Sequence, residues 1–202
     1  YRFDWNGRNS YEDYNNYNGY DGSRGDYYNS YYGPNYHCPD QQVLPLDNDE
    51  LALYDAIDNM QANGFTLGNY GMVWGWRLIS PEEPFTEGAA YDDEQWDKVV
   101  VMMTDGQNTM NSYYTAYGKT NEHNVDPDDL NDRFIEVCDA MKAENILVYT
   151  VTFYSNVDED TKEFYRQCAT QTSNYHDAPS QEDLVDVFEQ ISRELSNLHI
   201  RY

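Results

Sequence analysis

Asp105 is the residue of this 202-residue chain best placed to do chemistry. It directly follows the apolar run VVVMMT (99–104) and precedes Gly106, so a rigid element presents its carboxylate where the chain turns. In parallel α/β sheets, ligands gather at the carboxyl ends of the strands. A hard oxygen donor there suits Mg²⁺, Mn²⁺ or Ca²⁺. Taken alone, a strand-end Asp is more simply a turn former, and Thr66, in ANGFT, is more simply a helix cap.

Other polar signals carry less. The acidic stretches VDPDD (125–129) and NVDED (156–160) lack the spacing of a calcium loop and read as solvated turns. His37, His123, His176 and His199 are scattered, and no GxSxG elbow, HExxH or P-loop occurs. Trp74, Trp76 and Trp96 read as core or rim packing rather than a sugar platform.

Composition narrows the class. With 12 Lys+Arg against 37 Asp+Glu, the net charge is −25, which opposes binding to nucleic acid or an anionic membrane surface. Cations and basic partners are the natural opposites. No run approaches the roughly 18 apolar residues of a membrane helix. The chain starts at Tyr1, so an anchoring or export segment is expected upstream in the parent. Cys38, Cys138 and Cys168 have no zinc-finger spacing; in an exported chain, Cys138 and Cys168 make the better disulfide pair.

The elements that must position Asp105 begin after residue 37. Residues 1–37 are built from Tyr, Asn, Gly, Asp and Ser, with almost no aliphatic side chain, and read as a loop or insertion. Beyond lies one domain, 38–202. VLPL (43–46) is a short apolar run. Asp49 is placed to cap a helix whose Leu51, Leu53, Tyr54, Ile57 and Met60 predict one buried face, ending at Asn63-Gly64. LGNYGMVWGWRLI predicts a second helix, its glycines spaced for close packing on a sheet.

VVVMMT predicts a strand buried on both faces, and ILVYTVTF (146–153) predicts another. The stretch between them predicts an amphipathic helix burying Leu130, Phe134, Val137, Cys138 and Met141. A helix over 159–168, a short strand near Tyr175 and a final helix using Leu184, Val187, Phe188, Ile191 and Leu195 complete the pattern. The tail LHIRY is expected to add an edge element. Strand, helix, parallel strand implies a crossover and helices on both sheet faces.

LALYDAIDNMQANGFTLGNYGMVWGWRLISPEEPFTEG, KVVVMMTDGQN, CDAMKAENILVYTVTF and NYHDAPSQEDLVDVFEQISRELSNLHI together resemble the von Willebrand factor A-type domains of bacterial TadG-like proteins, associated with Flp/Tad pilus assembly. The resemblance covers roughly residues 38–202. It implies a Rossmann-like fold with a mostly parallel sheet between helices, its first strand missing here. In such domains a metal-ion-dependent adhesion site combines a DxSxS loop, a Thr and an Asp. Thr66 matches the second loop and Asp105 the third; nothing matches DxSxS. The resemblance therefore implies Mg²⁺, Mn²⁺ or Ca²⁺ in a full-length parent, held weakly or not at all by this chain.

The expected function is non-enzymatic adhesion: an extracytoplasmic domain, in the periplasm or at the cell surface, binding a protein partner such as a pilus or envelope component. Any membrane attachment would come through the missing N-terminal anchor. Two readings stand beside it, a carboxylate-based hydrolase using the crevice near Asp105 and a metal-free structural assembly module.

Overall fold

The computed structural model describes residues 42–61, 66–109 and 126–198. The expectations for the Tyr-rich stretch 1–37, for Cys38, for the Asn63-Gly64 helix stop and for the LHIRY tail beyond Leu198 lie outside the described residues. The chain divides into two compact units.

The described part of the smaller unit centres on helix α1 (Glu50–Asp58). Asp49 caps it as expected, its carboxylate accepting from the Leu51 and Ala52 amides at 2.9 and 3.4 Å. The helix runs to Asp58, with Asn59 as its C-terminal cap. Its apolar residues are not buried: Leu51, Leu53, Tyr54, Ile57 and Met60 are all exposed. Helical spacing decides which side chains share a face, not what covers that face. VLPL forms no strand, and Val43 and Leu46 are exposed.

The larger unit is a three-layer α/β structure. Its parallel sheet runs β1 (Val99–Thr104), β2 (Leu147–Phe153), β3 (Tyr175–Ala178), in that order. Val99 pairs with Leu147 and Thr104 with Thr152, so β1 and β2 end level. Parallel neighbours need long crossovers; these contain α3 (Pro127–Ala143) and α4 (Glu159–Cys168), while α2 (Gly68–Ile79) precedes β1 and α5 (Gln181–Leu198) follows β3.

Successive strand residues face opposite sides, and β2 builds a core on each. Val148 packs with Met72, Phe134, Cys138, Met141, Tyr165 and Cys168 beneath α2, α3 and α4. Tyr149 and Val151 pack with Ala178 and Ile191 beneath α5. Helices thus cover both faces. Of the residues expected on the core side of α3, Leu130, Phe134, Cys138 and Met141 are fully buried and Val137 is half-buried against them. Phe188 of α5 departs from expectation and is 44% exposed.

β1 also departs from two-sided burial. Val100 and Met102 pack against the first core, but Val101 and Met103 are 37% and 47% exposed. The core under α5 centres on β2 and β3 and includes only Val99 of β1. An apolar run marks a strand able to be buried twice; whether both sides are covered depends on where the helices lie.

Side-chain capping sets where α3 and α4 begin. Asp126 and Asp129 form a reciprocal capping box on α3, behind Pro127. Asp158 caps α4 through the Thr161 amide at 2.9 Å; burial pushes its carboxyl up, but hydrogen bonds from Thr161 and from the backbone of Asp158 and Asp160 together hold it below the usual range. The acidic stretches that read as solvated turns thus supply helix caps, through Asp126 and Asp129 for α3 and Asp158 for α4. Asn145, at φ 59°, takes the left-handed conformation that turns the chain from α3 into β2. Lys98 donates to the carbonyls of Ile79 and Ala89 at 2.6 and 2.5 Å, placing a cation at the end of α2.

Candidate functional site

Asp105 stands exposed at the carboxyl end of β1, where the strand-end argument put it. Its turn is closed onto its own strand: Thr104 Oγ1 donates to the Gly106 carbonyl at 2.7 Å and accepts from the Gly106 amide at 3.3 Å. The carboxylate is thereby carried on a short, tied loop rather than a free one.

Thr66 lies in the neighbouring loop and is not the cap of α2. That position belongs to Leu67, whose aliphatic side chain offers no acceptor. Instead, Thr66 pairs with Thr109, four residues beyond Asp105. The Thr109 amide donates to the Thr66 carbonyl at 2.8 Å, and the Thr66 amide donates to Thr109 Oγ1 at 3.0 Å. The structure thus joins the two loops that sequence reasoning selected, through a residue it did not select.

Beneath this pair lies a buried polar knot. Asn108, 8% exposed, accepts the Gly68 amide on Oδ1 at 2.7 Å and donates from Nδ2 to Asn131 Oδ1 at 2.8 Å. Tyr165, 3% exposed, reaches up from α4 toward Thr104. Burial pushes its phenol up to about 12; the Thr104 hydrogen bond opposes the shift and the Asp105 charge adds to it. A Cβ on Gly68 would stand 3.0 Å from Tyr165 Oη and 3.1 Å from Asn108 Oδ1, so a larger residue there would have to push one of these side chains aside.

None of Asn108, Thr109, Asn131 and Tyr165 was legible as part of the site. A loop Asn reads as a turn former, and its partners lie 40 and 23 residues away in the chain. With Thr66 reading as a cap for the following helix, nothing in the sequence marked the Gly68 amide as one to be satisfied from elsewhere; that follows only once Leu67 is seen to take the capping position.

The other strand-end carboxylate is engaged. Asp177, on β3, accepts from Thr152 Oγ1 at 3.0 Å and from Lys162 Nζ at 2.8 Å. Hydrogen bonding to Asp177 raises the Lys162 ammonium pKa. The tryptophans divide. Trp76 packs against the core and donates to Tyr91 Oη at 2.8 Å, and Trp74 sits edge-on to Tyr70 and Phe85 beneath Arg77. Trp96 is 66% exposed and so belongs to neither core nor packed rim.

A divalent cation takes about six oxygen ligands. At this crest Thr66 and Asp105 bring one hydroxyl and one carboxylate, and no three His, Cys, Asp or Glu residues are gathered anywhere among the described residues. This donor set does not fit a resident cation by itself.

The same α/β arrangement occurs in solved adhesion and matrix proteins. The chain is similar to the pilus adhesin SpaC from Lactobacillus rhamnosus GG in its open conformation, with a TM-score of 0.52 and 14% identity over 72% of this chain and 21% of that one. A second structure of SpaC gives 0.51 and 12%, over 71% and 20%. Proximal thread matrix protein 1 from the mussel byssus gives 0.50 and 17%, over 73% and 32%. The chain thus spans between about a fifth and a third of the length of these proteins. No protein-family model and no curated protein matches it.

At such identities the shared property is the fold. The chain has a von Willebrand A-type α/β fold, with a parallel sheet between helices. The neighbours that share it are a pilus adhesin and a matrix protein.

Proposed function

We propose that this chain is a non-enzymatic binding domain of an extracytoplasmic adhesion system, resembling the TadG-like module of Tad-type pilus assembly and recognising a protein partner among pilus or envelope components. The observation that carries this reading is the crest at the end of β1, where the reciprocal Thr66–Thr109 pair fixes the loop bearing Asp105 beside a second loop. Rigid scaffolds that present exposed loop side chains are the usual basis of recognition. The pilus-adhesin and byssus-matrix neighbours support the adhesive class. The buried Cys138–Cys168 disulfide supports an oxidising compartment.

Thr66 and Asp105 are proposed as two oxygen donors toward a divalent cation, Mg²⁺, Mn²⁺ or Ca²⁺, in a longer parent that supplies the remaining ligands. The described donor set favours a second reading for this chain alone, a metal-free structural assembly module.

The purified full-length parent protein separates these. Adhesion predicts binding to isolated pili that Asp105→Ala abolishes, with a Mg²⁺-dependent rise in Tm lost in the same variant. Pilus binding without any Mg²⁺ shift selects the metal-free module. Absence of pilus binding, with glycan or ester turnover that Asp105→Ala removes, selects the hydrolase.

A further inference from the structure

We propose that Asn108 is a positioning residue that holds the Thr66 and Asp105 loops in one fixed arrangement without a bound cation. This inference rests on the reading of the β1 crest as a recognition surface and deepens it.

Three elements meet at this side chain. α2 begins without a capping side chain of its own, so its first amides need acceptors. Asn108 Oδ1 supplies one to Gly68 from a loop 40 residues away, at 2.7 Å and out of solvent. The other end of the same amide donates to Asn131, on α3. One planar group therefore ties the start of α2, the loop after β1 and the first turns of α3.

The chemistry requires an acceptor for the Gly68 amide at this place. An amide supplies it while donating to Asn131, a carboxylate supplies it once Asn131 turns its own amide to donate, and a leucine does neither. With the Thr66–Thr109 pair above and the Thr104–Gly106 turn beside it, the anchors of both loops are intrachain hydrogen bonds. In a cation-assembled crest, the shared ion would do this joining. Here the loops are already joined, so a partner meets a preformed surface and binding spends less on ordering it. Gly68 completes the device, because any Cβ there would push against both Asn108 and Tyr165.

Residue-resolved amide hydrogen exchange on the chain tests this, first in EDTA and then with Mg²⁺. The Gly68 and Thr109 amides are expected to be protected in EDTA and unchanged by Mg²⁺. Asn108→Leu should lower protection at Gly68 by roughly tenfold, the scale of one buried hydrogen bond. Val148 and Val151 amides should keep theirs. Asn108→Asp keeps the acceptor for Gly68 and lets Asn131 turn its amide to donate; it should restore protection at Gly68.

Asn131→Ala, on the half-buried surface of α3, cuts only one arm, and should give a smaller loss at Gly68. Protection that arises only with Mg²⁺, or a Gly68 amide indifferent to both Asn108→Leu and Asn131→Ala, overturns the proposal. If Asn108→Leu loosens the whole core, the proposal stands or falls on whether Asn108→Asp and Asn131→Ala give the stated pattern. Pilus binding plays no part in these readouts, so failure of the adhesive reading leaves a separate signature.

Discussion

Cys138 and Cys168 form a disulfide that joins α3 to α4 across 30 residues of chain, and both sulfurs are wholly buried beneath β2. The bond closes a loop containing the whole of β2, so it restrains the unfolded chain around the central strand. Closing a loop of that length is worth about 3–4 kcal/mol in the chain-entropy model. Urea unfolding of the Cys138→Ala/Cys168→Ala double variant should show a loss of that order; an unchanged midpoint would mean that unfolded-state restraint contributes little here.

Glycine positions on α2 should divide sharply. Gly68→Ala drives a Cβ to 3.0 Å from Tyr165 Oη and 3.1 Å from Asn108 Oδ1, and overpacking of this kind costs about 1–3 kcal/mol. Gly71→Ala and Gly75→Ala meet only ordinary contacts at 3.7 Å, with Met102 and Val100. Better helix propensity should stabilise each by up to about 1 kcal/mol. Thermal denaturation of the three single variants checks the opposite signs.

Phe134 is fully buried and packs on Tyr165 with ring centroids 4.9 Å apart. Phe134→Ala should cost about 3–5 kcal/mol through lost burial and a residual cavity. Because Tyr165 in turn supports Thr104, exchange at the Gly106 amide should rise beyond the change at β3. Equal changes at both places would show that Phe134 supports the core without reaching the crest.

His176 predicts an acid-side weakness. Its Nε2 is buried with no hydrogen-bond partner among the described residues, and its ring lies parallel to that of Tyr149. Burial lowers its pKa below 6.5, against the opposing pull of Glu194. A depressed folded pKa means that the unfolded chain takes up the proton first. The contribution is therefore complete above about pH 6.5 and is lost as the pH falls through the lowered value. Denaturant unfolding across this window should show a slope that His176→Gln flattens.

At the alkaline end, Tyr149 and Tyr165 are both pushed up to about 12, mainly by burial. A raised folded value contributes stability below about pH 10 that disappears as the pH rises through 12. Tyrosinate absorbance should reveal phenols that titrate late and together with unfolding. Tyr165→Phe should remove one of them while costing about 1 kcal/mol for its lost hydrogen bond.

Much of this architecture was readable in the residues. Apolar runs located β1 and β2, and helical spacing of apolar side chains located α3 and α5, because such patterns are local consequences of backbone geometry. The strand-to-turn transition at Thr104-Asp105-Gly106 likewise marked the crest, since an apolar run ending in Asp-Gly leaves its carboxylate at the rim. Coverage was not local. Leu51, Tyr54 and Ile57 of α1, and Val101 and Met103 of β1, carry a buried pattern yet are exposed, because burial depends on which distant element packs above them.

The crest divides the same way. Asp105 stands out by its place at a strand end, but it and Thr66 became site candidates only through the resemblance to von Willebrand A-type domains. Whether their loops touch was decided by Thr109, Asn108, Asn131 and Tyr165, brought together from after β1, α3 and α4. Such contacts join residues tens of positions apart, and only the packed sheet and helices bring them within hydrogen-bond reach.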